Sequence, residues 1–137
     1  MSSEEQVQPR VGCGAAILRD GQLLLVRRLR APEADHWGLP GGKVDPFETV
    51  PQAVEREIAE ELGIAIRADR LLCVVDLIDR EAGFHWVSPV YRVDAFDGEP
   101  EVREPQALGE MGWFALDALP QPLTASVRAA VAAIAGG

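Results

Sequence analysis

The sequence lacks three features that define large classes of protein: long apolar runs, numerous cysteines and a secretion signal. No apolar stretch approaches the roughly 20 residues that a membrane-spanning helix needs, so we expect no membrane partner. Cys13 and Cys73 are too few for a zinc cluster and are expected to be reduced core residues. The N-terminal residues Met-Ser-Ser-Glu-Glu-Gln are unlike the basic and apolar regions of a signal peptide, which predicts a cytoplasmic location.

Positive charge is also scarce. The chain carries 13 lysines and arginines against 22 aspartates and glutamates, a formal net charge of -9. This excess of negative charge argues against a nucleic-acid polymer as a partner. Free nucleotides remain compatible with it, because divalent cations can bridge their phosphates to an acidic site.

The length of 137 residues and a composition of 47% hydrophobic and 26% charged residues indicate one globular domain. We expect this domain to span residues 1–137, with residues 1–9 as a flexible N-terminal extension. Loops are predicted at 29–36 and 96–109, and mixed strands between helices predict an α/β/α architecture. The predicted elements are strands at Val11–Leu18, Leu23–Arg28, Leu71–Leu77, Trp86–Val93 and Met111–Ala115, and a closing helix at Thr124–Ala135.

The segment from Gly42 to Ile64 is crowded with acidic side chains. In a helix, Glu57, Glu60 and Glu61 stand at i, i+3 and i+4, so their carboxylates project from one side and repel one another. Hard oxygen ligands of this kind suit Mg²⁺ or Mn²⁺. A solvated helix face is the ordinary alternative for such a charge run.

The pattern around these acids favours a partly buried position. Thr49 and Gln52 have the spacing of a capping box, and Gly63 is placed to end the helix. An apolar stripe beside Glu57 and Glu61 is expected to face a core. The stripe consists of Val50, Val54, Ile58 and Leu62.

Residues 42–64 resemble the Nudix box, the signature of the Nudix hydrolase family. The box reads Gly, five residues, Glu, seven residues, Arg-Glu, an aliphatic residue, any residue, Glu-Glu, any residue, Gly and an aliphatic residue. A Leu-Leu-Leu-Val-Arg-Arg strand, a Trp-Gly-Leu-Pro-Gly-Gly approach and a late Gly-Trp-Phe segment are also similar to small MutT-type members. One local departure is Phe47, at a position that is commonly Gly in relatives. The defined positions are filled by Gly42, Glu48, Arg56, Glu57, Ile58, Glu60, Glu61, Gly63 and Ile64.

The resemblance implies a Nudix fold, a mixed β-sheet sandwiched between α-helices, and an enzyme that requires Mg²⁺, with Mn²⁺ as a substitute. By position, Glu57, Glu60 and Glu61 would bind the metal together with the carbonyl of Gly42. Glu60 or Glu61 would also activate the attacking water.

Three further residues take roles by the same resemblance. Arg56 would pair with Glu48 and orient the metal-binding acids. Glu104 resembles a late-loop acid that contacts metal or serves as the base in relatives, although a solvated loop acid explains it equally well.

Candidate substrate residues lie outside the box. Arg28, at the end of the second strand, resembles an arginine that reaches a substrate phosphate in MutT-type members, with a surface charge as the alternative. Phe84 and Trp86 follow a turn and are placed to stack on a base, although strand packing explains Trp86 at least as well.

The resulting prediction is a phosphoanhydride hydrolase, that is, a nucleotide pyrophosphatase. We expect metal-activated water to cleave a nucleoside diphosphate linked to another moiety, above all a nucleoside triphosphate to the monophosphate and pyrophosphate. The alternatives are an ADP-ribose, nucleotide-sugar or dinucleoside polyphosphate hydrolase and, from another class, a non-catalytic nucleotide-sensing module. The expected partner is the nucleotide substrate, and a homodimer remains open.

Overall fold

The structure is a computed structural model that describes residues 7–136. Of the expected N-terminal extension, residues 1–6 lie outside the described residues, and residues 7–9 precede the first strand. The strands are β1 (Arg10–Arg19), β2 (Gln22–Arg28), β3 (Trp37–Gly38), β4 (Gly41–Lys43), β5 (Leu71–Asp79), β6 (Phe84–Val93) and β7 (Leu108–Ala115). Among the described residues, the helices are α1 (Val50–Leu62) and α2 (Ala125–Gly136).

Strand β1 organises the mixed sheet. It pairs in parallel with β6, which continues the sheet to β5. It also pairs antiparallel with two strands at different positions along its length. Gly12–Gly14 pair with β4, and Leu18 and Arg19 pair with β2. Strands β3 and β7 then pair with β2. The start of β1 therefore lies directly beside β4, the strand that leads into α1.

Two apolar clusters lie on opposite faces of the sheet. Leu24 of β2 packs in the same cluster as Ile58 of α1, whereas Leu23 and Leu25 pack in the cluster of Val127 from α2. A strand that is buried on both faces reads as a continuous apolar run, which explains the Leu-Leu-Leu-Val sequence. The predicted α/β/α architecture, a mixed sheet between helices, is confirmed.

Helix α1 begins and ends where the sequence predicts. The Thr49 Oγ1 accepts a hydrogen bond from the Gln52 amide at 3.2 Å, and the Gln52 Oε1 accepts one from the Thr49 amide at 2.9 Å. Gly63 ends the helix with a φ of 70° and donates its amide to the carbonyl of Ala59. The caps fix the ends of the helix, and the packing of its apolar stripe in the core turns Glu57 and Glu61 toward β4.

The two shortest strands were not predicted. β3 and β4 fall in the approach to the box, and strands this short carry no readable periodicity. Gly41 has a φ of 155°, and a Cβ there would overlap the carbonyl oxygen of Cys13, so only glycine allows this close pairing. Strand β7 also begins earlier than predicted, at Leu108, because a bulge beside Arg28 extends its pairing with β2.

No helix within residues 7–136 combines the length and the apolar character that crossing a bilayer requires.

Phe47 keeps the backbone conformation that glycine would favour. Its φ is 68°, in the left-handed region, and its side chain is fully exposed. A bulky residue in this region is strained, and here no buried contact offsets the strain.

We expect Phe47→Gly to stabilise the protein by about 1 kcal/mol, because glycine adopts positive φ without a Cβ penalty. Urea unfolding would measure the change. Asp20→Gly is the matched control: Asp20 also has positive φ, 54°, but aspartate tolerates this region better, so its gain should be smaller. A destabilised Phe47→Gly variant would show that the phenyl ring makes contacts that matter.

Candidate functional site

A cleft of about 320 Å³ opens beside the start of β1. Its walls come from β1, β4, β6, the segment between β2 and β3, and the residues around the start of α2. Lining residues with polar or aromatic side chains include Arg28, Glu33, Lys43, Trp86, Ser88 and Thr124.

Arg56 is the centre of the polar network next to this cleft. Its Nε and Nη2 donate to the two carboxylate oxygens of Glu48, at 2.6 and 2.9 Å, which is a bidentate fork. Its Nη1 donates to Glu57 at 2.9 Å and to Glu60 at 3.2 Å. Its Nη2 also donates to the carbonyl of Lys43 at 3.0 Å. One guanidinium thus ties the loop before α1 to the acidic face of α1.

This network sets the charge of Glu48. Hydrogen bonds from Arg56, and then from the Asp45 amide, lower the pKa of Glu48 to about 2. The pKa of Arg56 is raised in turn, chiefly by its hydrogen bonds to Glu48. The pair remains charged across the physiological range.

Glu61 is the most buried acid of the site, with 4% of its surface exposed. Its Oε1 accepts a hydrogen bond from the Gly41 amide at 2.9 Å. Burial, followed by the charge of Glu57 and then that of Glu104, raises the pKa of Glu61 to about 8, although the Gly41 bond opposes the rise. Glu61 therefore holds a proton more readily than an ordinary carboxyl group.

Glu57 lies against the backbone of Gly42. A Cβ at Gly42 would overlap the Glu57 carboxylate, so glycine provides the space that this carboxylate occupies. Burial raises the pKa of Glu57, whereas the hydrogen bond from Arg56 lowers it. The site thus holds two partly desolvated acids, Glu57 and Glu61, on adjacent turns of one helix.

Glu104 comes to the same site from a different part of the chain. The amide of Arg103 donates to the carbonyl of Glu61 at 2.8 Å, and the amide of Glu101 donates to that of Leu62 at 3.1 Å. These bonds cap the last turn of α1 with the loop that precedes β7. The charge of Glu104 consequently raises the pKa of both Glu57 and Glu61.

That Glu57, Glu60 and Glu61 bind one metal ion together stays a prediction. Across residues 7–136, no three His, Cys, Asp or Glu side chains are arranged as a metal-binding group. The Nη1 of Arg56 donates to both Glu57 and Glu60, whereas Glu61 accepts from the Gly41 amide, so two different donors hold the three carboxylates. The donors still fit a hard divalent cation: they are carboxylate oxygens whose desolvation and mutual repulsion such a cation would relieve.

The structure brings Arg28 and Trp86 together in the cleft but leaves Phe84 out of it. Phe84 lies on the same face of β6 as Trp86, closer to the β5–β6 turn, and lines neighbouring cavities with Val7 and His85. The Nε of Arg28 donates to the carbonyl of Pro32 at 2.9 Å. Arg28 therefore also anchors the segment between β2 and β3.

Two charged residues of the cleft, Lys43 and Glu33, have no counterpart among the predicted site residues. Lys43 is the second residue of the box segment, and this position could have identified it as a cleft residue. No local sequence pattern marked Glu33. Its carboxylate is positioned by a hydrogen bond from the amide of Ala125, which is 92 positions away in the sequence.

A family model described as the NUDIX domain matches residues 8–133. The fold is similar to the crystal structure of a MutT NUDIX hydrolase from Burkholderia pseudomallei, with a TM-score of 0.90 and 63% sequence identity. That match covers 93% of this chain and 98% of the other.

Two curated relatives match over shorter segments. An 8-oxo-dGTP diphosphatase from Haemophilus influenzae is 47% identical over 53 residues, 36% of this chain and 39% of the relative. An ADP-ribose pyrophosphatase from Methanocaldococcus jannaschii is 40% identical over 68 residues, 50% of this chain and 40% of the relative. The chain therefore spans less than half the length of these two relatives.

We expect Arg56→Lys to destabilise the protein above pH 4.5, because an ammonium cannot reproduce the fork on Glu48. Glu48 has a lowered pKa, so its contribution is present above its ordinary value of 4.5 and is lost as pH falls toward about 2. The difference in the free energy of unfolding between parent and variant should therefore decrease as the pH is lowered. Urea unfolding at a series of pH values would measure it. Arg70→Lys, at an exposed ion pair, is the control. A difference that does not change with pH would contradict this account.

We expect Glu61→Gln to stabilise the protein in EDTA by about 1–3 kcal/mol near pH 7.5, because the amide keeps the Gly41 bond, whereas the parent carboxylate must take up a proton on folding or be buried as a charge. The pKa of Glu61 is raised, so its burial increasingly destabilises the folded state as pH rises from 4.5 to about 8. The gain should vanish below pH 4.5. Thermal unfolding over pH would measure it, with the more exposed Glu60→Gln as control. Equal stability of Glu61→Gln and parent throughout would rule out a charged, buried Glu61.

Proposed function

Since the chain belongs to the Nudix family, we propose that it hydrolyses a nucleoside triphosphate to the monophosphate and pyrophosphate. The observation that carries this proposal is the pairing of opposite charges at one cleft. Glu57 and Glu61 lie against Gly42 and Gly41, which line the cleft together with Arg28 and Lys43. Acids suited to a cation and basic groups suited to phosphate are both needed to bind a triphosphate.

The family generally uses divalent metal ions. We propose Mg²⁺, with Mn²⁺ as a substitute, held by Glu57, Glu60 and Glu61 with the carbonyl of Gly42. When bound, the ion neutralises phosphate charge and lowers the pKa of coordinated water.

The side chains then have separate tasks. Glu61 is the favoured proton acceptor for the attacking water, because its burial brings its pKa toward neutrality. Glu60 and Glu104 are the alternative acceptors. Arg56 touches no substrate in this scheme and is a positioning residue, which holds Glu57 and Glu60 through its anchor on Glu48.

Arg28 and Trp86 are proposed to contact opposite ends of the substrate. Arg28 is half-buried in the cleft wall and supplies positive charge for a phosphate. Trp86 offers a ring for base stacking, and the Arg10 guanidinium lies 5.7 Å from its ring centroid. Phe84 is not retained in the substrate site, since it lines a different cavity.

The relatives support two substrate classes. The Haemophilus influenzae 8-oxo-dGTP diphosphatase favours a triphosphate, and the Burkholderia pseudomallei structure, similar over nearly the whole chain, supports a MutT-type hydrolase. The Methanocaldococcus jannaschii enzyme favours ADP-ribose, which is the second candidate. A nucleotide-sensing module without turnover is the remaining alternative, and the intact set of box acids argues against it. A single domain, a cytoplasmic location and the absence of polymer partners remain predictions from the sequence.

A substrate panel with Mg²⁺ tests the proposal: nucleoside triphosphates, 8-oxo-dGTP, ADP-ribose and dinucleoside polyphosphates, with the products separated by chromatography. We expect one monophosphate and one pyrophosphate per triphosphate consumed, and no turnover in EDTA. Glu57→Gln should lower turnover by about 10²–10⁴-fold, whereas Glu55→Gln, on the same helix but bonded to the Ala68 amide, should not.

Other outcomes discriminate the alternatives. Efficient cleavage of ADP-ribose with negligible pyrophosphate release from every triphosphate would overturn the triphosphate assignment and leave the fold unaffected. Nucleotide binding without turnover of any compound would identify a sensing module.

A further inference from the structure

Strand β5 forms an edge of the sheet. One side of it pairs with β6, from Leu71 opposite Tyr91 to Asp79 opposite Phe84. No strand within residues 7–136 pairs with its other side. The backbone amides and carbonyls that point outward from this nine-residue strand can therefore pair with a strand of another chain.

The two faces of β5 are covered differently. Val75 is buried in the cluster of α2, so Val74 and Ile78, at odd distances from it along the strand, point to the face of α1. Leu71 points the same way, since it pairs with Tyr91, which packs against the α1 cluster. Among the described residues, the α1 cluster includes none from β5, so α1 does not cover this strand.

The uncovered face of β5 is largely apolar. Leu71, Val74 and Ile78 expose 56%, 53% and 58% of their surface. Single exposed apolar side chains are common on proteins, but these three form one stripe along an unpaired edge. Asp76 lies between Val74 and Ile78 on the same face, a charge of the kind that limits indiscriminate pairing at edge strands. A strand added to this edge would place its side chains beside the stripe.

The two ends of β5 carry opposite charge. Positive charge exceeds negative charge just before the strand, where the exposed charged residues are Arg67, Asp69 and Arg70. Negative charge exceeds positive charge where the strand ends, at the exposed residues Asp79, Arg80 and Glu81. Asp94, which contacts Arg70, also pairs with Arg92, so it does not cancel the positive excess. Two copies of β5 that run antiparallel would bring each positive end to a negative end, whereas parallel copies would bring like charges together.

We propose that a second copy of this chain adds its own β5 to this edge, antiparallel to the first, in a two-fold symmetric dimer. Such a dimer uses the same surface on both copies, so the surface must complement itself. The outward backbone groups of the two strands would pair, the two apolar stripes would lie side by side on one face of a continuous sheet, and opposite charges would meet at both ends of the interface.

Sedimentation velocity at a series of protein concentrations tests the dimer. We expect the parent to shift from monomer to dimer below about 1 mM, and the outward amides of β5 to exchange their hydrogens more slowly where the dimer is populated. Val74→Lys should raise the dissociation constant by about 10-fold or more, because the two-fold axis places both ammonium groups in the interface. Leu29→Lys is the control: it also replaces an exposed apolar residue, but away from β5, and should dimerise as the parent does.

Charge reversals test the antiparallel orientation. Arg70→Glu and Glu81→Lys should each raise the dissociation constant by about 3–10-fold, because each places like charges at both ends of the interface. The double variant restores opposite charges at both ends, so it should recover most of the parent's affinity. Urea unfolding first establishes that each variant is folded.

Several results would overturn the inference. One is a parent that stays monomeric at every concentration up to about 1 mM. Another is a dimer in which the outward amides of β5 exchange as fast as in the monomer, or in which Val74→Lys has no effect. A double charge reversal that weakens the dimer further, instead of restoring it, would contradict the antiparallel arrangement.

Discussion

The site depends on one guanidinium. Arg56 contacts Glu48, Glu57 and Glu60 and the carbonyl of Lys43, so it connects the loop before α1 with the acidic face of the helix. A lysine could not satisfy these acceptors together, because its ammonium lacks the planar fork. One positive charge faces four carboxylates, those of Asp45, Glu48, Glu57 and Glu60, so the network orders the acids while leaving the site negative. Such a site favours a divalent cation over a neutral ligand.

Glycine at two consecutive positions makes this arrangement sterically feasible. Gly41 approaches the backbone of β1 and donates its amide to Glu61, and Gly42 leaves room for the Glu57 carboxylate. Both acids are thereby held away from bulk water, and this desolvation raises the pKa of each. The acids are therefore positioned by α1 and by the Gly41–Gly42 backbone together, and neither would be enough alone.

Local patterns made α1 predictable, because the capping box, the apolar stripe and Gly63 are all encoded within the helix and its flanks. The Arg56–Glu48 pair followed from the box resemblance. The rest depends on contacts that sequence does not display: the bond from Ala125 to Glu33 joins distant segments, and β3 and β4 are too short for periodicity. The directions of the carboxylates also lay beyond the sequence, because helix spacing fixes where each side chain starts, whereas Arg56 and the Gly41 amide determine where each carboxylate points.

The placement of the two apolar clusters has an evolutionary consequence. The acids of α1 pack over one face of the sheet, whereas Glu33 and the start of α2 belong to the other. Substitutions around α2 therefore act on a set of buried side chains separate from the one beneath the acids. The two halves of the molecule could accumulate changes independently, except at β1, which contributes side chains to both clusters.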